Sequence, residues 1–273
     1  MGMMAEDGQR TGPGAVAVVA LAGAVLLFLI APVVIIVIVS FSGADYLSFP
    51  PPFLSLRWYQ RFLGTPSWRQ SIAVSAQVAL LTMVFATVLG LLASLALVRG
   101  RFRGKGAIYA VLLSPMIVPT IITAIGLYFF FVRIKATGSI LAMALGHTVL
   151  ALPVVIIIMA ATLQGFDIRL EQAALSLGAS GVTALRRITL PLILPGVLSA
   201  ALFAFLTSFD ELLIPLFLSG VEVQTLTVRI WNSLVLEVDP TIAAVSSFLI
   251  GVTTVVLGAS AFLRGRGESA TGT

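Results

Sequence analysis

Leu170–Pro191, LEQAALSLGASGVTALRRITLP, is a polar, positively charged stretch between two apolar runs long enough to cross a bilayer. Its period is helical. Leu170, Ala173, Ala174 and Leu177 fall at i, i+3, i+4 and i+7, which puts a small apolar stripe on one face. Gly178 is expected to end that helix, since glycine takes the left-handed capping conformation without steric cost. Ser180 is expected to cap a second short helix running toward Ile188, with Arg186 and Arg187 in its last turn, where cations complement the dipole. A membrane chain that keeps such a helix-turn-helix hairpin in the water is expected to dock something there.

Composition places the hairpin in a membrane protein. The 273 residues are 59% hydrophobic and only 10% charged, with a mean hydropathy of +1.11. Soluble domains have roughly 45–50% apolar and about 25% charged residues. The net charge of +5 reads as loop topology and not as a nucleic-acid footprint, because the basic residues lie between apolar runs. The absence of cysteine excludes disulfides, thiolate metal sites and cysteine nucleophiles, and a lone histidine excludes a His-cluster metal site.

Six apolar runs divide the chain, at residues 15–41, 71–98, 107–132, 140–163, 192–213 and 241–263, with the hairpin in the loop 164–191. Each approaches or exceeds the ~20 residues that a helix needs to cross about 30 Å of hydrocarbon. The expected fold class is therefore all-α integral membrane, six transmembrane helices in one domain. The first run is too long for a signal-peptide core, and the tract before it sets one arginine, Arg10, against Glu6 and Asp7, so it is expected to be a retained span. With the N-terminus inside, the inner segments carry Arg10, Arg99, Arg101, Arg103, Lys105, Arg169, Arg186, Arg187, Arg264 and Arg266, ten of the 16 basic residues. The outer segments carry Arg57, Arg61, Arg69, Arg133, Lys135 and Arg229. The bias predicts both termini, and the hairpin, on the cytoplasmic side.

Ala173, Ala174, Gly178, Ile188, Leu190 and Pro191 stand at the spacing of the EAA loop, E-A-A, three residues, G, nine residues, I-x-L-P. In this the chain resembles the permease subunits of bacterial ABC importers, and as a whole it is similar to those of the polyamine-transporting type. One departure is plain: the family's glutamate falls on Gln172, and Glu171 beside it lies about 100° away around a helix of ~3.6 residues per turn. The resemblance implies a type I importer permease. It also implies that the loop, from Glu171 and Gln172 through Pro191, is the coupling helix seated in a groove of a cytoplasmic ATPase. The implied partners are two ATPase subunits, a second permease subunit or second copy of this one, and an extracytoplasmic solute-binding protein, in a bacterial inner membrane.

The chain has no Walker A sequence, G-x-x-x-x-G-K-[ST], so it is expected to bind no cofactor itself and to rely on ATP and Mg used by the partner ATPase. It reads as a translocation subunit and not an enzyme. An ion-coupled secondary transporter would show inverted repeats with broken helices at matching positions, and no such repeat is visible. An intramembrane enzyme would need a nucleophile and base together, yet the chain has no cysteine, one histidine and no acidic pair flanking a serine in a span.

Other residues carry weaker signals. The basic loop RFRGK, Arg101–Lys105, reads as a positive-inside anchor with some attraction for anionic lipid. LSLRWYQRF, residues 54–62, follows Pro50, Pro51 and Pro52 and mixes Trp58, Tyr59 and Phe62 with Arg57 and Arg61, which suits a short helix at the outer interface. Pro115, Pro119 and Pro153 each remove a backbone hydrogen bond inside a run, either as packing kinks or along the solute path. His147 reads as a hydrogen-bonded structural residue before a proton relay. Asp210 and Glu211 interrupt LFAFLTSFDELLIPLFLSG four residues before Pro215. A carboxylate deep in a span costs on the order of 2.5–3.5 kcal/mol. Asp210 sits about 27 Å along a helix begun at Leu192, near the outer mouth. The pair is read either as facing a path for a cationic solute or as a solvated span end.

Overall fold

Where water is absent, backbone N–H and C=O groups must pair within the segment, so apolar runs of this length become helices. The structure is a computed structural model that describes residues 13–236 and 239–271. Arg10, Glu6 and Asp7 lie outside the described residues, as do the side chains of Arg264 and Arg266. Five described helices are long and apolar enough to span: α1 (Pro13–Ser40), α3 (Pro66–Arg99), α6 (Ile140–Gln164), the continuous run Gly181–Phe209, and α12 (Thr241–Thr271). Shorter helices are α2 (Arg57–Gly64), α4 (Lys105–Leu113), α5 (Thr120–Arg133), α7 (Ile168–Ser176), α10 (Leu213–Leu218) and α11 (Leu226–Leu236). The run from Gly181 comprises α8 (Gly181–Ala184), a π-helical turn (Leu185–Thr189) and α9 (Leu190–Phe209). Among the described residues the only β pairing is an isolated bridge between Ser42 and Leu54.

The apolar run 107–132 is not one straight helix. Lys105–Met116 and Thr120–Arg133 meet at 99°, giving six spans only if the bent pair is counted as one. Pro115 opens a 3₁₀ turn over Ser114–Met116, and Pro119 precedes α5 with ψ at 129°. Neither proline donates a bond, but Ser114 before Pro115 stays helical at φ −55° and ψ −32°, and the chain becomes extended only at Pro119, which breaks the run where hydropathy alone is continuous. Pro153, by contrast, stays inside an unbroken α6.

The chain divides into two units, Met1–Phe62 with Glu237–Ile250, and Leu63–Leu236 with Gly251–Thr273. In the first, the Ser40 hydroxyl and Tyr59 Oη are 2.7 Å apart, and the Phe41 and Tyr59 rings pack at 5.2 Å. Arg57 lies over the Trp58 ring and pairs with Asp45 at 2.7 Å. The expected short helix forms as α2, and Trp58 and Phe62 on it are buried, Phe62 against Phe248 at 5.6 Å, so these two aromatic side chains are covered by protein.

The second unit is built on α3, α6 and α9, which pack against one another along their lengths. Ala86, Ala151, Val155, Met159, Ala200 and Ala204 form one buried cluster at this three-way contact. Small residues allow the backbones to approach in a medium that supplies no hydrophobic drive between helices. Gly90 marks the limit: a Cβ there would overlap Val155 of α6. Buried hydroxyls add cross-links, with Thr82 donating to the Ala144 carbonyl and Ser94 to that of Ile156, each at 3.2 Å.

Candidate functional site

The hairpin is assembled from local signals. Asp167 caps α7 by accepting from the Arg169 N–H at 2.9 Å. At the other end Gly178 takes φ +89°, the Ala179 N–H donates to Ala174 and the Gly178 N–H to Leu175, both at 3.0 Å. That pair of reversed bonds is a Schellman cap, which requires the left-handed residue that glycine supplies. The Ser180 hydroxyl then accepts from the Thr183 N–H at 3.2 Å and starts α8.

The second arm differs from its sequence reading. It does not end near Ile188; it passes through the π turn directly into α9, with the Leu190 N–H donating back to Leu185. Pro191 explains the wide turn, since it has no N–H and its ring would clash with the carbonyl four residues earlier. Arg186 and Arg187 therefore sit in the π turn within one long helix and not at a C-terminal dipole.

Gln172, Ala173 and Gly178 are exposed and Ala174 is half-buried. Leu177 is 90% exposed and Leu170 48%, so the apolar stripe points away from its own chain. Ile188 and Leu190 are half-buried, and Pro191 is exposed. Glu171 turns the other way. Its Oε2 lies 2.6 Å from Arg99 Nη1 at the end of α3 and accepts from the Thr189 hydroxyl of the π turn at 2.7 Å. Arg99 is also 5.7 Å from the Phe166 ring centre. In the sequence Arg99 is only an inside charge, and nothing in the spacing of residues so distant from one another announces the pair.

The two acids past α9 also separate. Asp210 is the C-cap of α9, exposed, and among the described residues its carboxylate makes no ion pair. Glu211 folds back as a cap for α10, its Oε1 accepting from the Leu213 N–H at 2.7 Å and the Ile214 N–H at 3.2 Å. Its carbonyl accepts from Thr227 of α11 at 2.7 Å. Two residues before Asp210, Ser208 joins His147 Nδ1 at 2.7 Å and donates to Thr82 at 3.2 Å, tying α9 to α6 and α3. His147 is buried and joins that network through Nδ1 only; its Nε2 is buried without a hydrogen-bond partner among the described residues.

Arg229 of α11 was not anticipated beyond its charge. Its Nε donates to the Ser71 hydroxyl at 2.7 Å, and its guanidinium lies 5.8 Å from the Trp68 ring centre. Partial desolvation lowers its pKa, a cost that these two contacts offset while the group stays charged. The neighbouring Leu226 N–H donates to Ser75 at 2.8 Å, so α11 is fastened to the start of α3 by two side chains.

Residues 86–266 match the family described as the binding-protein-dependent transport system inner membrane component. The chain belongs to that family. It is a permease component of a binding-protein-dependent transport system. The permease is 35% identical over 227 residues to the spermidine/putrescine transport system permease protein PotC of Haemophilus influenzae, covering 83% of this chain and 88% of that protein. It is 31% identical over 248 residues to the putrescine transport system permease protein PotI of Escherichia coli K12, covering 88% of each. Among solved structures it superposes on a chain of a bacterial ABC transporter that imports the acidic polysaccharide alginate, with a TM-score of 0.65, 16% identity and coverage of 89% and 94%. A chain of the MetNI methionine ABC transporter in inward-facing form gives a TM-score of 0.59 at 18% identity, covering 72% of the permease and 94% of that chain. At these identities the superpositions show the fold.

Proposed function

We propose that this permease carries a polyamine such as spermidine or putrescine, or a related small cation, across the membrane by alternating access. The carrying observation is the similarity to permeases named for spermidine and putrescine, which extends over more than four-fifths of the chain. Two ATPase subunits, a second permease and an extracytoplasmic binding protein complete the assembly in this reading. ATP binding supplies the differential affinity for two conformations that a population shift demands. The hairpin 164–191 receives that motion. The outward stripe of Leu170, Ala173 and Leu177 supports its docking role, since apolar side chains presented to water beside polar ones mark interaction surfaces.

The test is reconstitution of the four kinds of subunit in proteoliposomes. ATP-dependent uptake of labelled putrescine or spermidine, competed by the unlabelled amine, is the expected result. ATP-driven uptake of another solute with none of either polyamine would return the substrate to the wider family.

Orientation has its own measurement. Single cysteines can be introduced without background, since the chain has none. Cysteines at Thr65 and Ser219 are expected to react with an impermeant thiol reagent from outside, and those at Gly104 and Ser176 only after the membrane is opened. The opposite pattern would overturn the cytoplasmic placement of the hairpin.

A further inference from the structure

The geometry points to Glu171 as the residue that transmits hairpin motion into the spans, and not as a contact with the ATPase. This rests on the reading that the hairpin docks there. Three elements converge on one carboxylate: α7 supplies Glu171, the inner end of α3 supplies Arg99, and the root of α9 supplies Thr189. The side chains of Glu171 and Arg99 are only 15% and 23% exposed, and Thr189 is fully buried. Gln172, at the position of the family's glutamate, is exposed on the outer side of the same helix. The carboxylate nearest the motif therefore faces inward, where an ATPase groove does not reach it.

Mechanically this matters because α7 has weak attachments of its own. Apart from Glu171, only Ala174 is half-buried on it, and its end is a Schellman turn. Without the clasp, a push on α7 would pass to α9 through the Gly178 turn, α8 and the packing of α7 on the π turn, a kind of turn frequent at functional sites. With it, the push reaches α3 and α9 together, two of the three helices at the centre of the second unit. Arg99 is committed to this arrangement: Nη2 is already buried without a partner among the described residues, so losing Glu171 would leave a second donor of the same guanidinium unpaired.

The test uses the whole complex and reads uptake per ATP hydrolysed together with the ATPase retained on purification. Arg99→Gln and Glu171→Gln are each expected to lower uptake per ATP about tenfold, as loss of a coupled partly buried pair does, while the ATPase still co-purifies. The exchange of both, Arg99→Glu with Glu171→Arg, is expected to recover to within about threefold of wild type, since a threonine hydroxyl both donates and accepts. Thr189→Val keeps the shape and removes the third partner, so it should lower the same ratio without loss of protein from the membrane. Wild-type uptake per ATP in the single variants overturns the clasp, as does loss of the ATPase from them without recovery in the exchange, which would make Glu171 a docking contact. Wild-type uptake in Ala174→Trp overturns the docking reading and the clasp with it; an uncoupled Ala174→Trp beside normal Arg99 and Glu171 variants overturns the clasp alone.

Discussion

Ala174→Trp and Gly178→Val are expected to leave the permease in the membrane and to cut uptake by about tenfold or more, the change that ~1.4 kcal/mol of lost coupling produces. The two act by different routes. Ala174 is half-buried beside exposed Ala173 on a face of small side chains, which allows a helix to lie close in a groove. An indole there holds the helices apart. A Cβ at Gly178 would meet nothing within 4 Å, so the harm of Gly178→Val is conformational and not steric crowding. At φ +89° a side chain costs roughly 1–2 kcal/mol, and a β-branched one is a still poorer fit. The Schellman bonds to Ala174 and Leu175 then open and α7 loses its angle to α8. Normal uptake with normal co-purification of the ATPase in both variants would remove the hairpin from the coupling path. Gly178→Ala, with less strain, should fall between.

What was legible in the chain follows from the range of the forces involved. Span positions are set by runs of apolar residues and by backbone pairing, both local, so α1, α3, α6, α9 and α12 lie where hydropathy puts them. The hairpin was equally local: Asp167, Gly178 and Ser180 act on groups within four or five residues. The 99° break was not readable, because Pro115 and Pro119 announce lost hydrogen bonds but not the direction in which the chain resumes. Burial of Trp58 and Phe62 depends on partners remote in sequence, and an aromatic–arginine mixture suits lipid and protein surroundings alike. The Arg99–Glu171 pair and the Arg229–Ser71 bond are of the same kind, charges whose partners only the packing supplies. Family membership was legible because the hairpin motif is a set of residues at fixed offsets, and the match over residues 86–266 includes it.

Asp210→Asn is expected to lower uptake of a cationic solute about tenfold or more, with the complex assembled normally. Adjacent in sequence, Asp210 and Glu211 are divided by the end of α9 into different jobs. Glu211 spends its carboxylate on the Leu213 and Ile214 N–H groups, and an amide oxygen can still accept there, so Glu211→Gln should be mild. Glu211→Ala removes the cap and should cost stability, about 1 kcal/mol by analogy with helix N-caps. Asp210 has no such engagement. The residue is exposed, and its carboxylate is without an ion pair among the described residues, at the end of a helix held in place by the Ser208 bonds to His147 and Thr82. An acid so placed offers its field to whatever passes. Two unit charges at 4 Å attract by about 4 kcal/mol at an effective dielectric of 20 before desolvation is subtracted, enough that a residual third of it matches a tenfold effect. Because the residue is exposed, the effect should shrink as ionic strength rises and the Debye length falls below ~10 Å. A neutral solute carried by the same complex would be indifferent to Asp210→Asn. Uptake of a polyamine at the normal rate by Asp210→Asn, at low and high salt alike, would show the acid to be a solvated helix end and leave selection of the solute to the binding protein.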